Sequence, residues 1–442
     1  MKLWTRTGAL ALSLALIGGC LTGCSQPRFT APESIDLSTV TDPYNVISGL
    51  DGNTVVATAG ETEITAQEVL YQITAVSDDL LQYYSMYGLG DTLPWETKTD
   101  DGTLADTVMN RALETAAIYA LIPQAAQAEG LELTQEFKDT LKADMDNLAQ
   151  EMGSEEMTDH YLWYFPLTEE MYTHLCHSEE YNIMLKETHF GADTDGYPTD
   201  DEVMAYLEHD EQCYFFKHIL LKVEETPVEG DSSAADSSAA DSSAADSSAA
   251  DSSAADTSAV VQTTSNYEAQ KALAEDLLRQ LQESSNPSAL FDQLMKEYTE
   301  DPGLFTNPDG YMGSAKDGSM IASTMVPVVE EACLSLEEGE ISGVLENQEG
   351  YHGFHIVMRL PLEEHVDVND YRSYYIADQM AEMQDQWLED HPVVTNEAFD
   401  SIDPSVVYQS VGVLRDAIIA EAQAVHNQSG EDASAADTST AP

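Results

Sequence analysis

The chain has 442 residues, enough for two or three domains, and 43% of them are hydrophobic, so part of it can build a core. Its 17 basic residues stand against 81 acidic ones, a formal net charge of −64. A chain so poor in Lys and Arg lacks the footprint of a nucleic-acid binder, and its acidity reads as solubility and self-repulsion.

Met1 to Arg6 carries two basic residues, and Ala9 to Ile17 is almost wholly apolar. A basic start before an apolar run too short to span a bilayer is the pattern of an export signal. Leu21-Thr22-Gly23-Cys24 follows and resembles the bacterial lipobox. The expectation is a lipoprotein signal peptide over 1–23, with Cys24 becoming the acylated first residue. Ile17-Gly18-Gly19-Cys20 is a weaker competitor. Such a protein sits on the extracytoplasmic face of the membrane, held by its lipid. With Cys20 and Cys24 set aside, Cys176, Cys213 and Cys333 remain, an odd number that describes no disulfide framework. His174-Leu175-Cys176-His177 holds metal-ligand residue types, but the spacing is too tight for a zinc finger. It reads as a helix surface.

Residues 24–52 are rich in Pro, Ser, Thr and Asp, as a tether is. Val55 to Gly60 reads as a strand ending in a turn, and Thr65-Ala66-Gln67-Glu68 has capping-box spacing. The helix behind it carries Val69, Leu70, Ile73, Val76 and Leu80 at a three-to-four-residue rhythm. Leu104, Val108, Met109, Leu113 and Ala116 share one helix face, and Phe137, Leu141, Met145 and Leu148 another. A second capping box, Thr199 to Glu202, opens one more helix. Residues 53–210 are therefore expected to form a mainly helical domain.

Tyr214 to Leu221 is a short aromatic and β-branched run enclosing His218, and Gly353 to Met358 encloses His355 in the same way. Between them DSSAA is repeated five times from Asp231 to Ala255. The repeat cannot bury enough surface to fold, so about 228–265 reads as a disordered spacer. Amphipathic helices follow from Tyr267 and near Phe291 to Tyr298. Asp301-Pro302-Gly303, Asn307-Pro308-Asp309-Gly310 and Lys316-Asp317-Gly318 are loop signals. Residues 363–428 read as helical again, and 429–442 as a disordered acidic tail.

Taken in order, Lys217 to Leu221, the helix pair, Tyr298 to Gly303, Gly310 to Gly313, Leu336 to Ser342 and Gly353 to Val357 resemble the parvulin, or PpiC-type, peptidyl-prolyl isomerases. The resemblance covers 211–362 apart from the spacer. With the lipobox and helical flanks, the whole resembles the PrsA-type extracytoplasmic foldases. It implies an α+β fold: a small antiparallel sheet flanked by helices, accompanying a mainly helical SurA/PrsA-like chaperone domain to which 363–428 contributes. It also implies X-Pro isomerisation in unfolded or nascent secreted polypeptides, with no cofactor and no metal.

By resemblance, His218 and His355 form a hydrogen-bonded centre with Asp301 beside them. Met312 and Met325 line the proline pocket. Val329 stands where the family usually has phenylalanine against the proline ring, and Leu334 replaces a further common phenylalanine. Another register through Gly318 to Thr324, which looks like an insertion, would bring Met320 to the pocket. An acidic insert where phosphoprotein-directed parvulins carry a basic loop argues against phospho-Ser/Thr-Pro specificity. Two other functions compete: a holdase whose parvulin domain is catalytically inactive, and a solute-binding lipoprotein of a transporter. The latter would need two α/β lobes, which the helical N-terminal region does not offer.

Overall fold

The structure, a computed structural model, describes residues 29–100, 102–227, 263–322, 325–348 and 352–437. The signal segment with Cys24 and the DSSAA repeats lie outside the described residues. The chain forms two compact units: residues 198–375, and residues from both sides of them, 29–197 and 376–437 among those described.

The discontinuous unit is mainly helical. Strands Val55–Ala59 and Thr62–Thr65 form an antiparallel hairpin, and Val393–Thr395 pairs with the first from its other side. Helix Ala66–Met86 begins where the Thr65 N–H donates to the Glu68 carboxylate at 2.6 Å, which satisfies a backbone donor that the helix cannot. Val69, Leu70 and Ile73 of this helix bury against Val108, Ala112 and Ala116 of helix Leu104–Ala128. Val407, Val411, Leu414 and Ile418 of helix Pro404–Asp437 enter the same core. That last helix runs on to Asp437, well into the stretch expected to be a disordered tail from 429. Its alanines have the highest intrinsic helix propensity.

The continuous unit holds a four-stranded antiparallel sheet. In chain order its elements are β1 (Cys213–Lys222), α1 (Tyr267–Glu283), α2 (Pro287–Tyr298), β2 (Tyr311–Ser314), α3 (Pro327–Ser335), β3 (Leu345–Asn347) and β4 (Gly353–Leu360). The strand order is β2-β1-β4-β3. The side chains of β1 alternate between two faces. Cys213, Phe215, Ile219 and Leu221 pack with α1 and α2, while Tyr214 and Phe216 pack with Val329 and Cys333 of α3. Both faces are covered, so β1 reads as a nearly unbroken apolar run.

The unit is wider than the expected 211–362, beginning at 198 and ending at 375. Tyr206 and Leu207 before it, and Tyr371 and Tyr375 after it, belong to the same apolar cluster as Phe215 and Phe354. Arg372 further ties the margins together, donating to Asp200 Oδ1 at 2.5 Å.

Candidate active site

The register of β1 against β4 brings the two histidines together. His218 lies opposite Val357 and His355 opposite Leu220, so the imidazoles are diagonal neighbours on one face of the sheet. Their Nδ1 atoms are 3.4 Å apart and the rings lie 23° from parallel. His355 is 2% exposed.

Asp301 completes the group from the turn after α2. Its Oδ1 accepts the Gly303 N–H at 3.0 Å, which caps the short helical turn Pro302–Phe305. Its Oδ2 meets His218 Nε2 at 2.8 Å and also accepts the Tyr311 hydroxyl. Burial pushes the Asp301 carboxyl up, but the hydrogen bonds it accepts from His218, Tyr311 and Gly303 outweigh it. The balance holds the group well below the usual carboxylate range. An ionised Asp301 places the His218 proton on Nε2. A neutral His218 then accepts at Nδ1, and His355 donates from its own Nδ1.

Aromatic rings wall this centre. Tyr311 stands edge-on to His218, with ring centroids 5.2 Å apart at 83°, and Phe216 does the same at 5.8 Å and 77°. The sequence reading missed both residues. The signal available was the alternation of β1, which puts Phe216 on the face of His218, and pairing of β2 carries Tyr311 to Phe216.

The expected pocket residues divide. Met312 lies opposite Phe215 and packs with the cluster on the α1–α2 face, so it is on the far side of the sheet from the histidines. One residue of register separates it from Tyr311, and in a strand one residue is a change of face. Met325 packs at the margin of the Tyr214, Phe216 and Val357 cluster, on the histidine side. Val329 sits inside that cluster at 1% exposed, as core rather than an open wall. Leu334 is 57% exposed and Met320 68% exposed. A cavity of about 480 Å³ lies along the flank of α3, lined by Val328, Ala332, Leu336 and Leu345. Glu331, Ser335, Ser342 and Glu346 also line it, and Leu345 is the cross-strand partner of His355, so this mixed polar and apolar hollow adjoins the histidine pair.

A second polar group holds the loop between β2 and α3. The buried Glu211 carboxylate accepts from Ser319 Oγ at 2.6 Å, from Tyr206 at 3.2 Å and from the Lys316 ammonium. Burial alone would raise its pKa, yet these donors bring it below the usual range. Cys213 and Cys333 are unbridged, and burial pushes both thiols up to about 12. His174 faces Glu68 at 3.3 Å, and the His177 ring lies 6.0 Å from that of Phe137. Among the described residues no three His, Cys, Asp or Glu side chains are grouped to hold a metal ion.

Residues 259–359 match the family model "Rotamase: PPIC-type PPIASE domain". The chain carries a PpiC-type peptidyl-prolyl isomerase domain. The match begins beyond β1, so His218 joins this parvulin domain through the sheet register described above. Among solved structures the chain is similar to the peptidyl-prolyl isomerase PrsA of Bacillus cereus. Identity is 14%, coverage 71% of this chain and 97% of that one, and the TM-score 0.26. PrsA of Bacillus subtilis is similar at 14% identity over 72% and 90%, with a TM-score of 0.21. A structure of SurA-like chaperones from Campylobacter jejuni is similar at 14% identity over 71% and 89%, with a TM-score of 0.20. Among curated proteins none matches the chain.

Proposed function

We propose that the chain is an extracytoplasmic foldase whose parvulin domain isomerises X-Pro bonds in unfolded secreted polypeptides. The observation that carries this reading is the His218–Asp301–His355 group, set against Tyr311 and Phe216, with Asp301, Tyr311 and His355 inside the matched residues. Rotation about an X-Pro bond crosses a barrier of about 20 kcal/mol and takes tens of seconds unaided. The twisted amide has lost its conjugation and much of its dipole, so an apolar, water-poor surface favours it over the planar form. A fixed polar group beside that surface adds preorganised electrostatics without reorganising during the reaction. His218, Asp301 and His355 are the groups assigned to this role.

The cavity beside His355, with Met325 and Val329 near it, is the candidate cup for the prolyl ring. Phe305, in the turn that Asp301 caps, is 95% exposed and offers apolar surface to an unfolded client. The lipobox at Cys24 supports anchoring by acyl chains, and among the described residues no helix is long and apolar enough to cross a membrane.

A protease-coupled assay on a proline peptide tests the reading with the full chain, His218→Ala and Asp301→Ala. Turnover above the uncatalysed rate that falls at least tenfold in both variants is expected. A wild-type rate equal to the uncatalysed one overturns it. Buried Val329, at the family's usual aromatic position, favours one second reading: a parvulin domain that holds chains without turning them. That holdase would suppress client aggregation equally well with and without His218.

A further inference from the structure

We infer that Tyr311 is a positioning residue of this centre: its hydroxyl holds the Asp301 carboxylate in register with His218. The inference rests on the isomerase reading for its kinetic consequence, and on geometry for the rest. Three donors converge on Asp301 and each has a place. The Gly303 N–H occupies Oδ1, while His218 Nε2 and the Tyr311 hydroxyl share Oδ2. With both oxygens engaged, the carboxylate cannot turn without giving up a donor in a partly buried site, where lost hydrogen bonds are expensive.

The surroundings are shaped to bring the phenol there. A side chain at Gly303 would place its Cβ 2.7 Å from the Tyr311 hydroxyl oxygen and 3.3 Å from Asp301 Oδ1. The absence of a side chain at 303 therefore lets the hydroxyl reach the carboxylate. The Tyr311 ring itself is held between Phe216 and His218, with centroids 5.8 and 5.2 Å away. Its hydroxyl is kept a donor, because burial and the Asp301 charge both push its pKa up.

The charged and titratable groups facing Asp301 are few. His218 comes from β1 and Tyr311 from β2, and His355 of β4 meets His218 at Nδ1. Removing the hydroxyl leaves the Gly303 N–H on Oδ1 and His218 on Oδ2, and takes away the second donor that fixes where Oδ2 stands. The His218–Asp301 hydrogen bond is then held less firmly, and the preference of His218 for the Nε2–H tautomer weakens.

The test uses the full chain with ¹⁵N-labelled histidine. In wild type, His218 is expected as a single Nε2–H tautomer near neutral pH. In Tyr311→Phe, which removes one oxygen and keeps the ring, the two ring nitrogens should move toward the shifts of a tautomer mixture. Turnover, as kcat/KM, should fall about tenfold through kcat with KM within twofold. Gly303→Ala keeps the hydroxyl but displaces it, and should show the same mixing. Tyr311→Phe added to Asp301→Asn should cost nothing further. An unchanged His218 tautomer in both variants, or additive losses in the double variant, overturns the inference. Should wild type lack isomerase activity, the functional reading falls, while the imidazole spectra still decide the role of Tyr311.

Discussion

Arg415 grips Asp78 through both terminal guanidinium nitrogens, at 2.9 and 2.7 Å, although the two residues are 337 positions apart. Tyr408 adds its hydroxyl to the same carboxylate at 2.7 Å, and Arg415 Nε donates to the Tyr164 carbonyl at 2.9 Å. One partly buried guanidinium thus ties the last helix of the helical unit to its first long helix. Charged hydrogen bonds of this kind contribute about 1.5–3 kcal/mol. Arg415→Ala should lower the urea-unfolding free energy by about that amount, with the parvulin transition unmoved. A change below about 0.5 kcal/mol would place the pair among the weak surface contacts.

Asp301 predicts a pH dependence. Its carboxyl is depressed in the folded protein, so the unfolded chain takes up a proton first as pH falls. The stability it contributes is therefore complete above the ordinary carboxylate range, about pH 4, and drains away below it. Asp301→Asn should be less stable than wild type at neutral pH. That margin should shrink steadily below about pH 4. A margin independent of pH down to pH 2 would show that the charge contributes nothing.

Val329 tests where the core ends and the pocket begins. Its side chain is enclosed by Tyr214, Phe216, Cys333 and Val357. Val329→Ala should cost about 2 kcal/mol for the lost apolar contact and the hole. Val329→Phe, which restores the usual family residue, should overpack and cost about 1–3 kcal/mol. Thermal unfolding measures both, and a stabilised, more active phenylalanine variant would refute this placement.

Glu211 anchors the loop before α3 through Lys316, Ser319 and Tyr206. Glu211→Ala leaves those donors without their acceptor, a loss of about 2–3 kcal/mol where one partner is charged. Amide exchange at Ile321 should accelerate well beyond the change at Ile219 in the sheet. Equal protection in variant and wild type would remove Glu211 from any role in holding the loop.

Much of the site could be read from the order of residues alone. His218 and His355 stand out because each interrupts a short, dense apolar run, whereas Asp301 enters only through the resemblance to parvulins. The pocket was less legible for geometrical reasons. A strand of four residues, Tyr311–Ser314, carries no period from which to tell its faces, and Met312 is assigned to the pocket by resemblance alone. Only pairing of Phe216 with Tyr311 resolves the choice. Leu334 lies five positions beyond Val329 on α3, about 140° round the helix, and so points outward. The domain margins were hidden because the aromatic side chains of Tyr206, Tyr371 and Tyr375 join the sheet's core from loops and helix ends.

The pairing of Val393–Thr395 with Val55–Ala59 has a consequence for assembly in time. A ribosome delivers the hairpin at 55–65 more than three hundred residues before its third strand. Through that interval the helical unit is missing both the strand and the long helix that fill its core. Residues 198–375 emerge whole before then, and domains generally fold as units once complete. The isomerase domain can therefore reach its native state first, while the unit that flanks it in sequence is still waiting for its own C-terminal segment.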